Sequence, residues 1–277
     1  MTAGVVLIAR NNGAVDYIEQ AIYLASRVSK YLNLPTTLLT DDVDLVHSRY
    51  DSNFDNVIAL PESVPHSHRA YYDGTYTRKI LEFKNTDRVR AYDLSPYTET
   101  LLLDTDYIIA NDSLKHCFNQ NHNFLIYKDG IDLAGWRSND EFKRINQTGP
   151  EFYWATCVFF RQSETNKIFF DLLQHIVENW LHYRTIYNIG SSVFRNDYVF
   201  SIGIHIMNGY TKNDFARKMP GKMFYMLDRD ICLDITDDEF LILTERPDNS
   251  KEYNPHKVKG SSVHVMNKFS LSRIINA

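Results

Sequence analysis

The chain has 277 residues, 44% of them hydrophobic and 23% charged, which suits one large α/β domain or two closely packed halves. A net charge of −5 without a long basic block argues against non-specific nucleic-acid binding, and the lack of a long apolar run argues against a membrane-spanning helix. The cysteines Cys117, Cys157 and Cys232 are odd in number and show no paired spacing. They point to a reducing, cytoplasmic compartment (the host cytoplasm for a viral protein), not a disulfide scaffold.

Val5–Ala9 is a short apolar run, expected to be a strand buried on both faces and not a signal peptide. Val15, Ile18, Ala21, Ile22, Ala25, Val28 and Leu32 recur at helical spacing until Leu34-Pro35 stops the helix. Thr36–Thr40 is the next strand, running into Asp41-Asp42. Strand, helix, strand makes a βαβ unit, hence a parallel sheet with a right-handed crossover. Asn56–Leu60 reads as a third strand, and the polar, aromatic, turn-rich stretch 61–86 carries no predicted element. A helix over 87–94 closes at Ser95-Pro96, after which Thr100–Leu103 leads directly into Asp104-Thr105-Asp106.

Beyond residue 112 the pattern predicts strands over 124–127 and 155–160, with a mobile loop between Lys128 and Gly149 that closes over a ligand. Helices are expected over 164–181 and 196–207, the latter stopped by Asn208-Gly209. Val263-His264-Val265 alternates as a short strand that presents His264 on one face.

Two carboxylates at i and i+2 of a strand project together, and ligand sites of parallel sheets lie beyond the strands' carboxyl ends. Asp104 and Asp106 would repel each other there unless a cation lay between them. A hard divalent ion that shares its remaining positions with phosphate oxygens meets that need and would suit a nucleoside diphosphate-sugar. The alternative is that they are turn formers or caps.

The run Ser95-Pro-Tyr-Thr-Glu-Thr-Leu-Leu-Leu-Asp-Thr-Asp-Tyr107, with Arg88 upstream, resembles the DxD region of GT-A type glycosyltransferases, in a form similar to uncharacterised bacterial and phage members. The resemblance covers most of the chain in element order, with specific motifs in a few segments. It implies a Rossmann-like α/β GT-A fold with a mostly parallel central sheet flanked by helices. It further implies a single domain over 1–277, with a nucleotide-sugar-binding half (1–112) and an acceptor-side half (113–277).

Carried over by position, Asp104 and Asp106, with Thr105 between them, match the motif that binds Mn²⁺ or Mg²⁺ and the donor. Ala9, Arg10 and Asn11 match positions that contact the nucleoside, Asp41 the position that reads the base, and Arg88 a cation facing the donor phosphates. His264 matches the third metal ligand and Lys268 a diphosphate contact, although no Pro-Trp pair follows. Thr156 falls on a strand bordering the sugar pocket. Asp197 matches a carboxylate that serves as general base in an inverting reaction, or stabilises the sugar cation in a retaining one; its position near a helix start also fits simple capping.

The resemblance thus implies a UDP-sugar donor and a saccharide acceptor, with a modified nucleic-acid base as a further acceptor class. Two other readings stay open. A haloacid dehalogenase-like phosphatase would use Asp104 as nucleophile and Asp237-Asp238 as a later metal pair, although that family places its motif near the N-terminus. A nucleotide-sugar-binding protein without transferase activity would keep the donor residues alone.

Overall fold

The first apolar run forms β1 (Ala3–Ala9), buried from Gly4 onward. Asp16 caps α1 (Tyr17–Leu32) by accepting from the Glu19 amide, and Asn33 ends it with a φ of 53° in the left-handed region. β2 (Thr36–Thr40) lies parallel to β1, and α2 (Val43–Tyr50) leads to β3 (Asn56–Ala59), which is parallel to β2. This is the parallel sheet expected from the βαβ pattern. The computed structural model describes residues 2–50, 53–61, 67–138, 140–190, 193–248 and 250–277.

The stretch 61–86, predicted to hold no element, contains an antiparallel hairpin, β4 (Ser67–Asp73) and β5 (Thr77–Phe83); its residues 62–66 lie outside the described ones. Most of β5 is exposed, so the apolar alternation that announces a half-buried strand is missing. A 3-10 turn (Asp87–Arg90) and α3 (Ala91–Leu94) take the place of the single helix predicted there. Next come β6 (Glu99–Leu103), β7 (Tyr107–Ile108), β8 (Phe124–Tyr127), β9 (Gly130–Asp132) and β10 (Trp154–Arg161). The helix expected over 164–181 breaks at Asn179 into α4 (Glu164–Glu178) and α5 (Trp180–Ile186), and α6 (Asn196–Met207) has the expected bounds. The remainder forms β11 (Arg217–Lys218), β12 (Met223–Met226), β13 (Ile231–Ile235), β14 (Glu239–Glu245), β15 (Tyr253–Lys259), β16 (Val263–Val265) and α7 (Lys268–Ile275).

The central sheet has seven strands in the order β11-β8-β10-β6-β1-β2-β3. It is mostly parallel and flanked by helices; β10 is antiparallel to both its neighbours, β6 and β8. Because of that reversal the start of β10 lies at the carboxyl end of β6, with Cys157 opposite Leu103. A second sheet, β7-β16-β12-β9, begins where the chain leaves β6. There β7 pairs with β16 so that His264 stands opposite Tyr107, and β12 runs parallel to β16. Ile108, Met226, Phe240, Ile242, Val263 and Leu271 belong to a separate apolar cluster beside the main core. Burial of those side chains, not local propensity, holds the three-residue β16 in place.

The segment 128–149, expected as a mobile loop, makes specific contacts through its described residues. Its β9 pairs with β12. Arg137 forms ion pairs of 2.8 Å with Asp132 and 2.5 Å with the fully buried Asp230. The Trp136 indole N–H donates to the Glu245 carbonyl at 2.9 Å. Among the described residues no helix is long and apolar enough to cross a membrane.

Candidate metal and ligand-binding site

β6 ends at Leu103 and the chain turns, with the Tyr107 N–H donating to the Asp104 carbonyl at 3.0 Å. Asp104 and Asp106 therefore converge through a turn and not through the two-residue repeat of an extended strand. Both flanks of the turn are pinned. The Asp104 N–H donates to the Thr156 carbonyl at 2.8 Å, and the Val265 N–H donates to the Asp106 carbonyl at 2.9 Å. The second bond brings His264 to the dyad.

Asp104, Asp106 and His264 each offer a metal-ligand atom, all within 4.8 Å of one another. His264 Nε2 lies 3.1 Å from Asp106 Oδ2, and the Thr156 hydroxyl lies 3.4 Å from Nδ1 on the other side of the ring. The Lys268 ammonium, at the first position of α7, also contacts Asp106 Oδ2. Behind Asp104, the buried Arg88 donates from Nη1 to Oδ1 at 2.5 Å and from Nη2 to the Thr156 carbonyl at 3.2 Å.

Burial alone would raise the Asp106 carboxyl, but Lys268 and His264 outweigh it and hold the group well below the usual carboxylate range. Asp104 is pushed up by burial and by the Asp106 charge, against the pull of Arg88. Its side chain remains 37% exposed, so water moderates that shift.

A cavity of about 470 Å³ opens before these groups, and Asp104, Thr105, Asp106, Thr156, Asp197, His264 and Lys268 all line it. Ala9, Arg10, Asn11, Asp41 and Arg88 are not on its wall. The fully buried Arg10 is held by Asp87 at 2.6 Å and Asp41 at 2.9 Å, and it donates to the Pro61 carbonyl at 2.7 Å. The Asn11 side-chain oxygen accepts the Tyr17 and Ile18 amides at 2.7 and 3.1 Å, which caps the start of α1. Asp197 does not cap its own helix. One oxygen accepts the Ala155 N–H at 2.9 Å, and the other accepts two Arg195 donors at 3.0 and 2.8 Å, tying α6 to β10.

The cavity is also lined by residues that sequence reasoning missed: Tyr17, Arg69, Tyr71, Asn85, Arg195 and Asp228. Arg69 and Tyr71 sit two apart on β4, and that spacing was the available signal. The Arg69 guanidinium stacks 3.3 Å over Phe83 and donates to the Phe194 carbonyl, while its Nε finds no partner among the described residues. Burial pushes it down to about 10, so it stays cationic at neutral pH. No ion pair to Arg69 forms among the described residues.

A larger recess, of about 740 Å³, lies between β8 and α6 and contains none of the predicted site residues. Its Lys128, Arg217 and Lys218 are paired with Glu151, Asp214 and Asp129. Asp237, proposed above for a phosphatase metal pair, lies between β13 and β14, mostly exposed and bonded to Lys30. It takes no part in the cavity, and neither does Asp238.

No protein-family model matches the chain, and no curated protein matches it. Solved structures similar to it include the galactosyltransferase LgtC in complex with donor and acceptor sugar analogs, at 13% identity and a TM-score of 0.46, over 78% of this chain and 72% of that one. The glycosyltransferase GlyE of Streptococcus pneumoniae TIGR4 is 14% identical with a TM-score of 0.45, over 79% of this chain. The match covers 45% of GlyE's own length. The 4-diphosphocytidyl-2C-methyl-D-erythritol synthase of Anaerococcus prevotii DSM 20548 is 13% identical with a TM-score of 0.37, over 80% of this chain and 89% of that one. At these distances the likeness is one of chain path.

Proposed function

We propose that the chain is a metal-dependent glycosyltransferase that moves a hexosyl or related group from a nucleoside diphosphate-sugar, UDP-linked, to a hydroxyl of a glycan. The observation that carries this reading is the convergence of Asp104, Asp106 and His264 within 4.8 Å at the end of β6. Two carboxylates and an imidazole form a donor set that fits Mn²⁺ or Mg²⁺. The Lys268 ammonium resting on Asp106 supports the preference of the site for a cation. A divalent ion held by Asp104, Asp106 and His264 would neutralise the charge that develops on the departing diphosphate.

The remaining chemistry belongs to the protein's side chains. Arg88 orients Asp104, and the Thr156 hydroxyl beside Nδ1 of His264 turns Nε2 towards the dyad. Lys268 lies within reach of the leaving diphosphate, and the uncompensated Arg69 supplies a second cation on the cavity wall. On the nucleoside side Arg10 steadies Asp41, which retains partial exposure to read the base; Ala9 and Asn11 complete the strand end. Asp197, held through both oxygens, serves as the general base if the reaction inverts the sugar and as a fixed negative charge beside it if configuration is retained. In this reading 1–112 form the donor half and 113–277 the acceptor side, from which His264 and Lys268 return to the donor.

Calorimetric titration with Mn²⁺ and a panel of nucleotide-sugars tests the proposal. Asp106→Asn should abolish metal-dependent nucleotide binding, a loss of at least about 100-fold. Normal binding by that variant would sink the reading.

A further inference from the structure

We infer that Asp228 reads the acceptor sugar: its open carboxylate oxygen accepts a hydrogen bond from an acceptor hydroxyl next to the one that reacts. The inference rests on the transferase reading above.

Apart from the dyad, the carboxylates on the cavity wall are Asp197, Asp228 and Glu141. Asp197 is committed to Ala155 and Arg195, and Glu141 is exposed to solvent. Asp228 is different. Among the described residues its side chain accepts one hydrogen bond, a long one from the Tyr72 N–H to Oδ2 at 3.3 Å, and forms no ion pair. Burial pushes its carboxyl up, with the Tyr72 N–H and the charges of Lys268 and Arg229 pulling the other way. A half-buried carboxylate with cations nearby but none in contact is costly to keep and is the kind of group a ligand hydroxyl completes.

The strand order says which ligand. β12 runs parallel to β16, with Met226 beside Val265, so the two strands deliver Asp228 and Lys268 to the same cavity. The neighbouring strands β7, β16 and β12 carry Asp106, His264 and Asp228 in that order, Asp106 just before β7, His264 within β16 and Asp228 two residues past the end of β12. Two steps between neighbouring strands span about 10 Å. With the diphosphate at the dyad and the nucleoside towards β1 and β2, that span carries past the transferred sugar to the acceptor. A carboxylate with an open oxygen suits a polyhydroxylated partner, so the acceptor is a saccharide.

The test measures two reactions of one protein: hydrolysis of a UDP-hexose by water, and transfer to a panel of methyl glycosides of glucose, galactose and mannose. Asp228→Ala should leave hydrolysis and donor KM within about two-fold and raise the acceptor KM about 10- to 100-fold, from loss of one charge-assisted hydrogen bond. Asp228→Asn, which keeps an acceptor oxygen, should fall between the two, and thermal melting checks that both variants fold. Equal losses of hydrolysis and transfer, or no change in either, overturn the assignment. So does a wild-type protein that hydrolyses the donor yet glycosylates no member of the panel. A wild-type protein that neither binds nor hydrolyses any nucleotide-sugar fails earlier, at the transferase reading itself.

Discussion

The two walls of the cavity hold their charges differently. On the dyad wall each carboxylate has cations against it: Arg88 on Asp104, and Lys268 with His264 on Asp106. On the hairpin and β12 wall, Arg69 leans on a backbone carbonyl and Asp228 on a backbone amide. Buried paired charges hold each other, and removing one strands the other. Buried charges without partners weaken the fold and are retained for what they bind. The first wall is thus built to persist without ligand, and the second to be completed by one.

Substitutions can break this contrast, and the largest effect after Asp106→Asn is expected on the dyad wall. Arg88→Met leaves Asp104 without its cation. Metal affinity should fall about 10- to 100-fold, and stability by about 1–3 kcal/mol, discounted because Asp104 is partly exposed. Calorimetry and thermal melting read both, and an unchanged melting midpoint would count against the pairing. Arg69→Gln should behave oppositely. Nucleotide-sugar affinity drops about 10-fold through loss of a charge-assisted contact, while stability falls by at most about 1 kcal/mol, because the stack on Phe83 and the bond to the Phe194 carbonyl are lost but no ion pair is broken. A large destabilisation with intact affinity would erase the distinction between the walls.

The smallest effect concerns the attachment of the hairpin. Arg273 donates to both oxygens of Asp73 at 2.6 and 2.8 Å, fastening β4 to α7. That pairing holds the Asp73 carboxyl below its ordinary value. A carboxyl depressed in the folded state stabilises fully above its unfolded value, about 4, and the contribution disappears as pH falls through the lower folded value. Asp73→Asn should therefore cost at most about 1 kcal/mol at neutral pH, and the gap from wild type should close below about pH 4. Urea denaturation at several pH values measures it; a gap that widens in acid would contradict the assignment.

Much of the N-terminal fold was legible because doubly buried parallel strands are written as short apolar or β-branched runs: Val5–Ala9 and Leu101–Leu103 are apolar throughout, and Thr36–Thr40 sets two leucines among threonines. Helix α1 was marked by its apolar spacing, and α6 by its own stop in Asn208-Gly209; the Asp16 cap of α1 went unread. The hairpin was not legible, because an exposed β5 repeats nothing that burial would select. For that reason Arg69 and Tyr71 went unnoticed. In β14 the alternation of Phe240, Ile242 and Thr244 as buried positions was available and unread. Asp228 carries no local signal at all, since it lies just past the short β12 and depends on neighbours from distant segments.

The sequence by itself determined where a strand would deliver Asp104 and Asp106, because an apolar run followed by two acids specifies burial and then exit. Only the tertiary structure decided how they meet and what joins them. A turn, not a pleat, brings the carboxylates together. The pairing of β7 with β16 brings His264 from 158 positions away, and α7 brings Lys268. Those contacts are non-local: burial of β16 between β7 and β12 sets them, and no spacing along the chain encodes that burial.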